Sequence, residues 1–221
     1  GNTVRAMTDL AREYSQVDAL HGGLPDFPRS FTGKGVLIGV IDTGFDFMHP
    51  AFRDAEGNSR IVHVWDQSGR NGNTPSMGYG VVFDTPELIR SAAHDVSRDT
   101  HGTHVAAIAA SSADVYKGMA PESDIVVVAT DKSESGIIDA LAYLLDYAEK
   151  EKKPIAINLS MGTVIGFKDG TDPIASMIDE LLDKSGKKCL MAIAAGNEGH
   201  RNSTIVTETT GQGEVINTSF T

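Results

Sequence analysis

Gly35-Val36-Leu37-Ile38-Gly39-Val40-Ile41-Asp42-Thr43-Gly44 is an almost unbroken apolar run, β-branched at five positions, that ends on a carboxylate and a glycine. Without alternation of polar and apolar residues it reads as a strand buried on both faces, the kind a parallel sheet contains. Asp42 then sits at the carboxyl end of the strand, the edge where open α/β sheets gather ligands and reactive groups. The runs over 125–129, 155–159 and 189–195 read the same way, and 61–65 reads as a shorter strand. A helix is expected over 136–152, with Ile137, Ile138, Leu141, Leu144 and Leu145 turned inward, and another over 174–184. Strand and helix in alternation give an α/β fold: a parallel sheet with helices on both faces, joined by right-handed crossovers.

A second stretch carries chemistry. His101-Gly102-Thr103-His104-Val105-Ala106-Ala107-Ile108-Ala109-Ala110 places an imidazole at the mouth of a helix of small residues. Gly102 allows close backbone approach, Thr103 supplies a side-chain oxygen near the helix start, and the small residues beyond it allow tight burial. Taken alone, His101 would read as a buried histidine held by hydrogen bonds. Two partner segments change that reading. Asp42 ends one buried strand, and Asn197 follows another, Cys189-Leu190-Met191-Ala192-Ile193-Ala194-Ala195-Gly196-Asn197-Glu198-Gly199. An acid, a base and an amide are thereby carried to one edge of the sheet by different elements.

Val40-Ile41-Asp42-Thr43-Gly44 followed by Asp46, His49 and Pro50, then His101-Gly102-Thr103-His104-Val105-Ala106, then Ala195-Gly196-Asn197-Glu198-Gly199, resemble the subtilisin-like serine proteases in residues and in order. The resemblance runs from about residue 33 to 199 and implies the three-layer subtilisin-like fold. It also implies roles: Asp42 orients His101, His101 deprotonates a serine, and Asn197 donates to the oxyanion. The family's Gly-Thr-Ser nucleophile motif does not occur in these 221 residues. Asn217-Thr218-Ser219-Phe220 has the wrong first residue and precedes no apolar helix, so Ser219 reads as an ordinary serine. The resemblance therefore implies a serine endopeptidase acting on polypeptides, with this chain its N-terminal portion. The alternative is a pseudoprotease or peptide-binding scaffold that keeps the fold without the serine. Asp42-Thr43-Gly44 also matches the aspartic-protease signature, but those enzymes are almost all β and need a second such motif, which is absent.

For substrate binding, Ser160, Met161 and Gly162 resemble the family's strand beside the primary specificity pocket. Ser133, Glu134 and Ser135 fall where the opposing strand is expected, so that an extended peptide would pair with both by strand addition. No cofactor is implied for the chemistry. Subtilases often bind calcium through an acid just after the His-Pro pair; here Ala51 stands there, leaving Asp54 or Asp66 for any other calcium site.

Three segments are expected: an arm over 1–32 with a helix over 8–20, a partial catalytic domain over 33–199, and a tail over 200–221. The tail's two β-branched runs about Gly211-Gln212-Gly213 read as a hairpin, and it resembles the start of the β-rich insert of clostridial germination proteases. A net charge of −11 argues against a nucleic-acid partner, and no stretch is apolar and long enough to span a bilayer. The single cysteine, Cys189, allows no intrachain disulfide and reads as a small buried hydrophobe. His21, His63, His94 and His200 read as surface groups. Asn202-Ser203-Thr204 and Asn217-Thr218-Ser219 match the glycosylation pattern, and family resemblance suggests a secreted or cell-envelope setting. No feature of the sequence sets an oligomeric state.

Overall fold

A strand apolar on both sides needs a cover on both faces, and the order of elements supplies it. The computed structural model describes residues 8–23, 29–97, 99–162 and 170–197. Along the chain these form α1 (Thr8–Tyr14), α2 (Val17–Gly22), β1 (Leu37–Asp42), β2 (Ile61–Asp66), β3 (Val81–Phe83), α3 (Pro86–Ala92) and α4 (His101–Ala110). After them come β4 (Asp124–Ala129), α5 (Glu134–Glu151), β5 (Ile155–Leu159), α6 (Pro173–Ser185) and β6 (Cys189–Ile193). The six strands form one sheet in the order β3-β2-β4-β1-β5-β6. Every pairing is parallel except that of β2 with β3.

The period-2 alternation of the strands sorts the core into two layers. Leu37 and Ile41 of β1, with Val126 and Val128 of β4, pack under Ile138, Leu141 and Leu144 of α5 and Ile178 of α6. Val40 of β1 and Val127 of β4 face the other way, against Ala106 and Ala110 of α4, Ile89 of α3 and the cluster Phe45, Phe47 and Phe52. Val40 and Ile41 are fully buried, and each such side chain contributes roughly 1.5–3 kcal/mol by leaving water. β1 lies between β4 and β5, with Asp42 opposite Ala129 and Ile41 opposite Leu159. The loops leaving β1, β4, β5 and β6 therefore open on one edge.

Several elements depart from the sequence reading. β3 and α3 were not expected. Thr85 accepts from Leu88 N at 3.3 Å and Pro86 opens the helix, so the start signal for α3 stands in the sequence. The arm helix is broken in two, because Gln16 takes a left-handed conformation (φ 59°) and Ser15 Oγ donates back to Ala11 O at 2.6 Å. The arm lies against the loop before β4: Arg12 donates to Lys117 O, and the His21 ring bonds Met119 O at 2.8 Å. Helix α5 starts two residues earlier than its apolar pattern, because Ser133 Oγ accepts from Gly136 N. Among the described residues β6 lies at the edge of the sheet: Leu190 is 77% exposed, Ile193 50%, and Cys189 half-buried. His63 is buried rather than at the surface. The expected tail over 200–221, with Ser219, His200, Asn202 and Asn217, lies outside the described residues. Among the described residues no helix is long and apolar enough to cross a membrane.

Candidate active site

Asp42 shares the face of β1 with Val40, so the alternation that buries Val40 against α4 also aims Asp42 at the start of that helix. Its side chain is 1% exposed. The carboxylate accepts from Thr43 N at 2.7 Å and lies 2.8 and 3.0 Å from Nδ1 of His101, the first residue of α4. The His101 side chain is 49% exposed, so the ring is held on one side and open on the other.

Helix α4 is fastened to the loop after β1 by its first turn. Gly102 N donates to Thr43 O at 2.7 Å and Thr103 N to Gly44 O at 3.0 Å. Thr103 Oγ1 also donates to Gly44 O at 2.9 Å and accepts from Asp46 N at 2.8 Å. Thr103 thus ties the two segments together instead of capping its own helix. The capping falls to Asp99, whose Oδ1 accepts from Thr100 N at 2.7 Å and His101 N at 3.3 Å, a carboxylate at the positive end of the helix. Gly102 is needed for the approach: a Cβ there would lie 2.7 Å from Cζ of Phe45 and 2.8 Å from Thr43 O. Gly44 is needed for its backbone, with φ +82°.

A cleft of about 850 Å³ opens beside the pair. Asp42 and His101 form one wall, Ile137, Leu159, Met161 and Ile193 its apolar floor, and Asp99, Glu134 and Asp172 an acidic rim broken by Lys132. Met161 and Gly162 line it. Ser160 does not. It alternates to the opposite face of the sheet with Asn158, whose Nδ2 donates to its Oγ at 2.8 Å, and the two line a separate hollow beside α4. Ser133, Glu134 and Ser135 are not a strand, and strand addition there is ruled out. Ser133 caps α5, bonded to Asp131 Oδ1 at 2.7 Å, Glu134 and Ser135 are in the first helical turn, and Ile137 N is spent on Ser133 O. Of the three, only Glu134 lines the cleft. Asn197 lies just beyond β6, exposed, on the same edge of the sheet as Asp42.

The calcium expectation finds no fit at the residues named for it. Ala51 is buried in the apolar layer around Phe52. Asp54 Oδ1 accepts from Glu56 N and Asn58 N, and its other oxygen from Asn58 Nδ2. Asp66 is buried and accepts from Ser68 N and Val96 N. Among the described residues no three His, Cys, Asp or Glu side chains are placed to share a metal ion.

Two features escaped the sequence reading. Asp95, in a segment without a motif, accepts from the amides of Gly44 and Phe45. His63 pairs with Tyr143 OH at 2.6 Å, and burial pushes its pKa down to about 4.

A profile of the subtilase family matches residues 33–218. The chain belongs to the subtilase family. Among curated relatives, this subtilase is 30% identical over 185 residues to the subtilisin-like protease PopC of Myxococcus xanthus, an alignment covering 76% of the chain and 34% of PopC. It is 29% identical over 216 residues to the serine protease AprX of Bacillus subtilis, covering 91% of the chain and 41% of AprX. Among solved structures, the CspB protease of Clostridium perfringens superimposes with a TM-score of 0.62 at 30% identity, over 76% of the chain and 37% of CspB. Sphericase, at 22% identity and a TM-score of 0.55, shares the fold. The chain spans 34% to 41% of the length of the two curated relatives. The chain is thus similar to subtilisin-like serine proteases in sequence and in fold.

Proposed function

We propose that the complete protein is a serine endopeptidase in which His101 is the general base, Asp42 its orienting partner and Asn197 an oxyanion donor. The nucleophile is a serine outside these 221 residues. The pairing of His101 Nδ1 with the buried Asp42 carboxylate, at 2.8 and 3.0 Å, is the observation that carries this reading. A carboxylate that already accepts from Thr43 N has only acceptor capacity to offer, so Nδ1 bears the ring proton and the lone pair sits on Nε2. That is the tautomer a general base requires. In the proposed step the serine Oγ bonds to the scissile carbonyl carbon as its proton moves to Nε2. The imidazolium then delivers that proton to the departing amine, leaving an acyl-enzyme for water to hydrolyse. Asp42 stabilises the imidazolium without taking its proton.

The substrate is an extended polypeptide lying past Met161-Gly162, with an apolar side chain on the floor formed by Leu159 and Met161. The test is His101→Ala in the complete protein. Turnover should drop by about 10⁶, the scale on which loss of either the base or the nucleophile is known to cost subtilisin itself. Undiminished turnover would remove His101 from the chemistry.

A further inference from the structure

The loop over 43–46 is held from two sides. Two of its carbonyls turn toward α4, where Thr43 O and Gly44 O receive Gly102 N and Thr103 N. The amides of Gly44 and Phe45 turn the other way, toward Asp95. Gly44 N donates to Asp95 Oδ2 at 2.8 Å and Phe45 N to Oδ1 at 3.1 Å, so each carboxylate oxygen takes one amide. Asp95 N returns a bond to Phe45 O at 3.3 Å, and the flanking residues continue the seam through Phe47 N to Ala93 O at 2.8 Å. Asp95 is 2% exposed, and among the described residues no basic side chain is bonded to its carboxylate. Its segment is anchored in turn to β2, because the equally buried Asp66 carboxylate accepts from Val96 N at 3.2 Å.

An ionised carboxyl without a cation is costly to bury, and one placed on two successive backbone amides spends that cost on fixing the path of the chain. Those amides are two and three residues past Asp42, whose carboxylate is itself pinned by the intervening Thr43 N at 2.7 Å. We propose that Asp95 is a positioning residue for the Asp42–His101 pair: by bridging the Gly44 and Phe45 amides it fixes the loop that aims Asp42 at Nδ1 of His101. The inference rests on the proposed protease reading for its kinetic consequence only. Geometry at a catalytic pair is worth large factors in rate, because a displacement of about 1 Å can cost about 10²-fold. Burial, with the nearby Asp66 carboxylate, raises the pKa of Asp95, and the Gly44 and Phe45 amides and His94 oppose that rise.

Asp95→Asn keeps the size and one acceptor oxygen but turns an amide N–H toward a backbone N–H. In the complete protein it should lower kcat about 10- to 100-fold with KM within about 3-fold, since substrate contacts are untouched. The His101 Nδ1 proton, followed by NMR in ¹⁵N-histidine-labelled protein, should move upfield as its bond to Asp42 loosens. That readout does not depend on turnover. If the protein proves to hydrolyse nothing while the proton still moves on substitution, the protease reading fails and the role of Asp95 stands. A folded Asp95→Asn protein with unchanged kcat and an unmoved Nδ1 proton would overturn the proposal. Should the variant not fold, the wild-type protein decides: scalar couplings across the hydrogen bonds from the Gly44 and Phe45 nitrogens to the Asp95 carboxyl carbon are expected, and their absence would overturn it equally.

Discussion

At Gly102 the absence of a side chain lets the first turn of α4 lie on Phe45 and on the Thr43 carbonyl. Added carbon there would be 2.7 Å from one and 2.8 Å from the other, and neither the buried Phe45 ring nor the backbone has room to retreat. Gly102→Ala is therefore expected to lower stability by about 1–3 kcal/mol, the usual cost of overpacking, read as a shift in the urea midpoint. Unaltered stability would mean that the helix start is looser than its geometry. Asn197 answers to a different measurement. On the proposed role its amide meets charge that exists only after attack, so Asn197→Ala should reduce kcat by about 10² to 10³, as the equivalent change does in subtilisin, with KM nearly constant. A variant that mainly raised KM would instead assign Asn197 to the ground state.

Between β2 and α5 the contact is aromatic and polar together. The His63 ring lies 5.7 Å from the Tyr143 ring and 4.4 Å from that of Tyr147, and bonds to Tyr143 OH. Burial is the largest influence on its pKa; Asp84 opposes it and Lys150 adds to it. With a folded pKa of about 4 against about 6.5 unfolded, the unfolded chain binds the proton more readily. The stabilisation is thus intact above pH 6.5 and is lost as pH falls toward 4, a total of about 3 kcal/mol. Urea titrations at pH 7 and pH 4.5 should show a much smaller difference in His63→Gln than in wild type, and equal differences would refute the assignment. His63 was read as a surface group because an isolated histidine in a short strand carries no signature of what will be stacked on it. The same limit explains Asp95 and Ser160. The former bonds only to backbone amides brought near by folding, and the latter is turned from the cleft by strand alternation continued one residue past β5. By contrast β1, β4, β5 and α6 were legible because unbroken apolar runs and a clean helical period bury themselves in one way. The pairing of Asp42 with His101 was legible because Asp42 ends β1 and His101 begins α4. The cap at Ser133 was visible and misassigned: a serine three residues before a helical pattern is a start signal, and it outweighed the expected strand.

Across the whole molecule the sheet gathers Asp42, His101 and the cleft on one edge, and on the proposed reading that edge is what a nucleophile must reach. Among the described residues no serine hydroxyl bonds to the His101 ring. Ser133 Oγ is engaged with Asp131 and Gly136 N, Ser160 is on the far face, and Ser112 and Ser123 donate to the carbonyls of Ala51 and Ala120. The hydroxyls of Ser133, Ser112 and Ser123 are committed to holding a loop or helix end, and Ser160 is turned away from the cleft. An oriented imidazole without a neighbouring hydroxyl can neither form an acyl-enzyme nor react with an electrophile that mimics one. The 221-residue chain, purified alone, should therefore resist a fluorophosphonate probe, while the complete protein should take up one equivalent per chain and lose that labelling on His101→Ala. Stoichiometric labelling of the isolated chain would place the nucleophile within it, Ser219 included. An unlabelled complete protein would favour a binding scaffold built on the same fold.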